Sequence, residues 1–287
     1  MKLKYFTEEA YNYLYDNFPT LDLVILRNEE NIGPAQARNK GLEKALALNI
    51  PFIMFADADD QFTSPLSVQL LYNTLIVNKS DLVCSSFYEE GPDEDPLMIH
   101  EDYDIWLFGK IYRASIIESY DIRFPALSMN EDVCFNLWYW LASNNKNFIK
   151  EITYLWKNNK NSITRKDNSA YTWSCFSPLC ENLIAVYKAM IESDKIQEEK
   201  MIFSLANRII RLYGAYNTAC YTKDDRINLE EMRESLSKFN QEILMPYWKL
   251  LNEEAIMSAW QEMVSQEPNN QYPAIGLREF IRMIKGE

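Results

Sequence analysis

Along the first 165 residues, short apolar runs alternate with stretches whose apolar positions recur at helical spacing; beyond that point helical spacing alone continues. Thr7 caps a predicted helix with Glu8 and Glu9 in its first turn, and Phe18 and Pro19 end it. Leu21–Leu26 (LDLVIL) is too short and too β-branched for a helix and reads as a strand. A loop through Asn28 to Gly33 leads into a helix reaching Ala47, and the apolar run from Pro51 to Ala56 reads as a buried strand. Strand, helix and strand in succession predict a parallel pair with a right-handed crossover. Further on, the pattern predicts a helix over Leu66–Asn78, a strand over Asp81–Phe87, and a solvated acidic loop at EEGPDEDP. Phe108–Tyr120 reads as helix, Arg123–Met129 as extended chain, Glu131–Ser143 as helix and Ile149–Trp156 as a last strand before a polar Asn/Lys loop.

From Lys166 onward the windows Pro178–Ser193, Glu198–Cys220, Leu229–Phe239 and Ala255–Val264 are amphipathic helices. The expected division is an α/β domain over 1–165 and an all-helical extension over 166–287. There is no internal repeat and no low-complexity tract.

Composition narrows the setting. A formal charge of −13 argues against non-specific binding to nucleic acid or anionic lipid, both of which need a cationic surface. The five cysteines are odd in number and lack C-x-x-C spacing, so they read as buried free thiols in a reducing compartment. No window of membrane-spanning length is free of charge, and the N-terminus has no signal-peptide apolar core. The expected location is cytoplasmic, with work at a membrane face left open.

The chemistry concentrates after the run Pro51–Ala56, where Asp57, Asp59 and Asp60 follow an apolar strand. Ligands of open α/β sheets sit beyond the carboxyl ends of the strands. Three carboxylates within four residues repel one another, and a divalent cation such as Mn²⁺ or Mg²⁺ is the simplest compensation; an acidic surface loop is the bland alternative. Arg38, near the start of the helix that follows Gly33, can meet a phosphate at that helix's N-terminus or pair with Glu43 on the surface. Glu131 and Asp132 open a predicted helix behind Asn130, a position that suits either capping or catalysis. Lys110 and Arg113 would put positive charge near a diphosphate, or else lie on a solvated helix surface. The single histidine, His100, reads as a loop or core residue and leaves no nucleophilic scheme built on histidine.

Asn31, Gly33, Ala37, Arg38, Asn39 and Gly41 form N-x-G-x-x-x-A-R-N-x-G, followed by FADADD; later come FGKIYRASII, IRFP, Asn130-Glu131-Asp132-Val133 and YLWKNNKNSIT. In order and spacing these resemble the core of the family 2 glycosyltransferases of the GT-A fold. The resemblance implies a Rossmann-like, mostly parallel sheet that carries a nucleotide-sugar site. It gives Asp57 and Asp59 the donor ribose and the metal, places Asp60 close to the sugar or just behind the residues that touch it, sets Gly33, Arg38 and Lys110 around the nucleotide, and makes Asp132, ahead of Glu131, the general base. The implied reaction is inverting, metal-dependent transfer from a nucleoside diphosphate sugar, UDP-linked, to a hydroxyl on a glycan, a lipid-linked sugar or a protein.

The family normally opens with a V-S-V-I-I-P-x-Y-N strand and a second strand ending in D-D-G-S, and neither is present in the sequence. The expectation is therefore an N-terminally truncated GT-A core with an open sheet edge. The missing strands would be lost, supplied by another chain or a second copy, or left out at a misplaced start. The alternative function is a non-catalytic GT-A remnant or assembly subunit that acts through protein partners.

Overall fold

The structure, a computed structural model, describes residue 16 and residues 22–91, 98–101, 106–127, 129–159, 173–193, 196–222, 224–265 and 275–287. The predicted helix after Thr7 lies outside the described residues, apart from Asp16, which is helical.

Helix α1 (Gly33–Ala47) starts where Gly33 takes φ 77° and its N–H donates to Asn31 Oδ1 at 3.0 Å. Pro34 sits in the first turn, where the missing N–H costs nothing. The buried stripe is Ala35, Asn39 and Leu42, at helical spacing. Asn39 is not a ligand residue: its amide donates to Phe124 O at 2.8 Å and its Oδ1 accepts from Phe124 N at 2.9 Å, tying α1 to the IRFP segment.

Among the described residues six strands form one sheet: β1 (Phe52–Ile53), β2 (Gln61–Phe62), β3 (Leu82–Glu89), β4 (Met98–His100), β5 (Lys110–Arg113) and β6 (Lys146–Trp156), in the order β1-β5-β3-β6-β2 with β4 beside β3. Strands β1, β3 and β6 run in one direction and β2, β4 and β5 in the other, so only the β3–β6 pairing is parallel among the described residues. The expected mostly parallel sheet is thus corrected to a mixed one. Sequence periodicity reports which residues are buried but not which way a neighbouring strand runs. Residues 110–113, expected as part of a helix, instead form β5 between β1 and β3; only α3 (Ala114–Ser119) is helical there. Gly109, at φ 66°, makes the entry to β5 possible because its Cα faces Ser85 Oγ.

Two further expectations fail near the start. Residues 22–28 carry no strand, and the run Pro51–Ala56 is a strand only at Phe52–Ile53. A strand exists only where a neighbour takes its hydrogen bonds. Here β1 is paired with β5 on one side and with no described strand on the other. Val24 and Leu26 are correspondingly exposed, and the segment is held instead by Lys40 Nζ, which donates to Arg27 O and Asn28 Oδ1. Helix α2 (Ser67–Val77) covers one sheet face with Leu71 and Leu75 against Val83 and Ile111. Its other side leaves Val68, Tyr72 and Ile76 exposed, with the Tyr72 ring 5.6 Å from Phe52 of β1.

On the opposite face Ala35 and Leu42 of α1 and Phe135 and Tyr139 of α4 (Glu131–Ala142) join one cluster with Ile53, Leu82, Tyr112 and Phe124. A larger apolar cluster joins α4 to the helices that follow: α5 (Phe176–Glu192), α6 (Glu198–Tyr221), α7 (Leu229–Phe239), α8 (Glu253–Ser265) and α9 (Leu277–Lys285). Between α7 and α8 a π turn, Asn240–Leu244, and a 3₁₀ turn, Met245–Tyr247, redirect the chain around Pro246. The last helix, absent from the sequence expectations, buries Leu277, Phe280, Ile281 and Ile284. All five cysteines are free thiols, and no described helix is long and apolar enough to cross a membrane.

Candidate active site

Past the end of β1 the chain turns at Asp57–Asp60, and Tyr154 of β6 organises that turn. The Tyr154 hydroxyl is fully buried in its ring contacts with Phe62 and Phe108, accepts from Asp57 N at 3.0 Å and donates to Asp60 Oδ2 at 3.0 Å. Asp60 Oδ1 accepts from Lys157 N at 3.0 Å, so both of its oxygens are committed to the fold. Burial pushes the Asp60 carboxyl up to about 6, against those two hydrogen bonds and with help from the charges of Asp57 and Asp59. Asp59 points outward and its Oδ2 accepts from Asn159 Nδ2 at 2.6 Å.

On the other side of the cleft, Asn130 adopts a left-handed conformation at φ 66° and makes no side-chain capping bond to α4. Asn tolerates that conformation better than most residues. The sharp turn it makes carries Glu131 and Asp132 into the first turn of α4 and toward α1. Arg38 joins the two motifs, with Nη1 2.5 Å from Glu131 Oε1 and Nη2 2.9 Å from Asp57 Oδ1. This fixes Arg38 to the interior of the site and removes the alternative of a surface pair with Glu43. Its guanidinium also lies 5.8 Å from the Phe124 ring.

Arg38, Phe55, Ala56, Asp57, Leu107, Phe108 and Asp132 line one open cleft with a volume of about 30 Å³, room for about one water. Asp132 Oδ1 accepts from Val133 N at 2.8 Å. Burial, reinforced by the charge of Glu131, lifts its carboxyl to about 7 against the pull of Arg38 and Lys110. A carboxylate near neutrality at the edge of a cleft has the proton affinity a general base needs.

Of the residues singled out in the sequence, the structure gathers Arg38, Asp57, Glu131 and Asp132 around the cleft, with Asp59 and Asp60 on the adjoining turn. Glu131 is the arginine's anchor, with 9% of its side chain exposed. Lys110 is 1% exposed in β5 and its Nζ donates to Trp106 O; Gly33 is the first residue of α1 and does not line the cleft, with open space where a Cβ would be. His100 pairs with Glu89 at 2.7 Å and stacks on Phe87, away from the cleft. Sequence reasoning gave no role to Tyr154 or Asn159. Their signal was the YLWKNN stretch itself, whose tyrosine and asparagine meet the acidic turn from the far strand.

Among the described residues, no group of three or more His, Cys, Asp or Glu side chains forms a ready-made metal cage. With Asp60 committed, Asp57 and Asp59 are the two carboxylates on the turn that could take a cation. Two hard oxygen donors plus substrate phosphates is the usual protein share of a Mg²⁺-type site, so the residues fit such an ion.

A mixed α/β sheet with helices on both faces, a carboxylate turn at its strand ends and a helical extension defines a GT-A-type fold. Residues 9–148 match the model of glycosyl transferase family 2. Over those residues the chain carries a glycosyltransferase domain of that family. Comparison with curated proteins gives no match. Among solved structures, the chain is similar to Staphylococcus aureus TarS 1–349 in complex with UDP-GlcNAc, with 16% identity over 92% of this chain and 81% of that one and a TM-score of 0.66. TarS 1–349 without the nucleotide gives 15% identity, the same coverage and a TM-score of 0.60. At such identity the likeness speaks for the fold.

Proposed function

We propose that the chain transfers a sugar, with inversion, from a nucleoside diphosphate sugar to a hydroxyl acceptor. The observation that carries this reading is the convergence of two distant motifs: Arg38 bridges Asp57 of the acidic turn and Glu131 beside Asp132, and all but Glu131 line one cleft. Asp132 takes the proton of the acceptor hydroxyl as that oxygen bonds to the anomeric carbon. The bond from that carbon to the diphosphate breaks on the opposite side, and the nucleoside diphosphate leaves. Arg38 holds Asp57 and Glu131 in place and offers positive charge where the diphosphate would lie. A divalent cation held by Asp57 and Asp59 would stabilise the leaving diphosphate when bound. The UDP-GlcNAc bound by TarS supports a UDP-linked donor. The helices after residue 166, in our reading a separate extension, would shape the acceptor side together with the segment around Glu89 to Tyr103. Isothermal titration of UDP with Mn²⁺ tests the donor half: micromolar to millimolar binding by wild type that Asp59→Ala weakens supports it, and absence of binding by wild type rejects it.

A second reading rests on the side of β1 that pairs with no strand among the described residues, beside exposed Val68, Tyr72 and Ile76. An open strand edge flanked by apolar surface is a template for another chain, and under this reading the GT-A core serves an assembly. Light scattering that finds only monomer at high concentration, with donor turnover intact, removes it.

A further inference from the structure

Residues of α4, the start of β6 and α6 line a second, open cavity of about 460 Å³, among them Leu137, Trp140, Lys146, Phe203, Arg208 and Arg211. It lies at the start of β6, whereas the acidic turn is held by residues at the end of that strand. Arg208 is 5% exposed and its Nε is buried without a hydrogen-bond partner. No described carboxylate forms an ion pair with it; its recorded electrostatic neighbours are the thiols of Cys134 and Cys180. Arginine does not shed its charge by deprotonating, and a guanidinium buried without an anion is among the costliest arrangements in a protein interior.

The other charges near the cavity are accounted for. Lys146 Nζ donates to Ser143 O at 3.1 Å and Lys200 Nζ to Leu141 O at 2.6 Å, so both lysines neutralise the carbonyl end of α4. Asp81, the carboxylate that acts on both, is occupied by Asn144 N and Asn145 N at 2.8 and 3.0 Å. Glu199 belongs to an adjoining groove that shares Trp140, Lys146 and Phe203. Burial and the nearby Lys146 bring Lys200 down to about 8, as expected of a locally positive field in a chain of charge −13. Arg211, one turn beyond Arg208, stands exposed at the mouth, and Phe203 is 59% exposed with its ring stacked on Trp140 at 5.8 Å.

We propose that this cavity binds a phosphate ester, its phosphate paired with Arg208 and Arg211 and its carbon body laid against Phe203. Two guanidinium forks one turn apart suit an anion with several acceptor oxygens, and the exposed ring offers apolar area to whatever carries it. The site is separate from the donor cleft and does not depend on that cleft's activity.

Thermal unfolding with three probes tests it: inorganic phosphate, phenyl phosphate as a monoester, and dimethyl phosphate as a diester, each against sodium chloride of equal ionic strength. Wild type should gain about 3–6 °C from phenyl phosphate and less from inorganic phosphate. Arg211→Ala, a change at an exposed position, should weaken the apparent affinity about tenfold or more, and Phe203→Ala should make the two phosphates equivalent. Arg208→Met should abolish the response while unfolding no lower than wild type without ligand, because it removes an unpaired charge. A response to phenyl phosphate alone marks a terminal phosphate; a matching response to dimethyl phosphate marks a phosphate within a chain. No stabilisation of wild type by any probe at tens of millimolar overturns the proposal, as does a response equal in wild type and Arg211→Ala, which would mean an adventitious ion only.

Discussion

Replacing Asp132 by asparagine removes a charge and almost nothing else. In the folded chain its carboxyl titrates near 7 rather than at the ordinary 3.8, chiefly because it is buried and secondly because Glu131 is beside it. The sign follows from proton counting. Between pH 3.8 and about 7 the folded state holds a proton that the unfolded state has released, so stability falls as pH rises, and the loss is complete above the folded value. At about 1.4 kcal/mol per pH unit the full loss is at most about 4 kcal/mol; the cleft opens to water, so about half of that, roughly 2 kcal/mol, is the expected size. Asp132→Asn stays neutral at every pH and escapes the penalty. Urea unfolding of both proteins at pH 5, 6, 7 and 8 should show the variant gaining on wild type with each step, until it is about 2 kcal/mol more stable at pH 8. A difference that stays constant across that range would mean an ordinary carboxyl, and the case for Asp132 as a base poised near neutrality would fail.

Removing the arginine that joins the two motifs should act in the opposite direction. Arg38→Ala leaves Glu131 buried without its partner at 2.5 Å and should cost about 3 kcal/mol in urea unfolding; a loss below about 1 kcal/mol would show that the bridge does not hold the site. Tyr154→Phe deletes the hydroxyl between Asp57 N and Asp60 and should cost about 1–2 kcal/mol, raising KM for the donor more than it lowers kcat. Equal donor KM in both proteins would detach the acidic turn from Tyr154.

The acids were legible because their chemistry is local: three carboxylates after an apolar run need a shared reason wherever the strand ends. Arg38, Glu131 and Asp132 were legible as motif members, yet the Arg38–Glu131 pair that joins α1 to α4 and the cleft Arg38 shares with Asp132 are tertiary facts that no spacing shows. Tyr154 was hidden for the same reason, since a tyrosine in a strand ordinarily reads as core. The misread elements share a cause as well. Lys110–Arg113 has the apolar content of a helix start and becomes a strand because β1 and β3 leave a slot between them. Residues 22–26 have the composition of a strand and pair with no strand among the described residues. In both places the deciding term is the hydrogen-bonding partner, which lies elsewhere in the chain. The four helical windows read after residue 166 match the observed helices to within two residues at each end because an amphipathic helix closes its own hydrogen bonds.

The central claim is that the Arg38–Asp57–Asp132 cleft turns over a nucleoside diphosphate sugar. The most direct test is release of nucleoside diphosphate from a panel of UDP- and GDP-sugars with Mn²⁺, followed for wild type, Asp59→Ala and Asp132→Asn after each variant is shown to be folded. The account predicts release by wild type from at least one UDP-sugar, reduced about a hundredfold or more in Asp132→Asn and strongly reduced in Asp59→Ala. No release by wild type from any donor, or release that is the same in all three proteins, would contradict it.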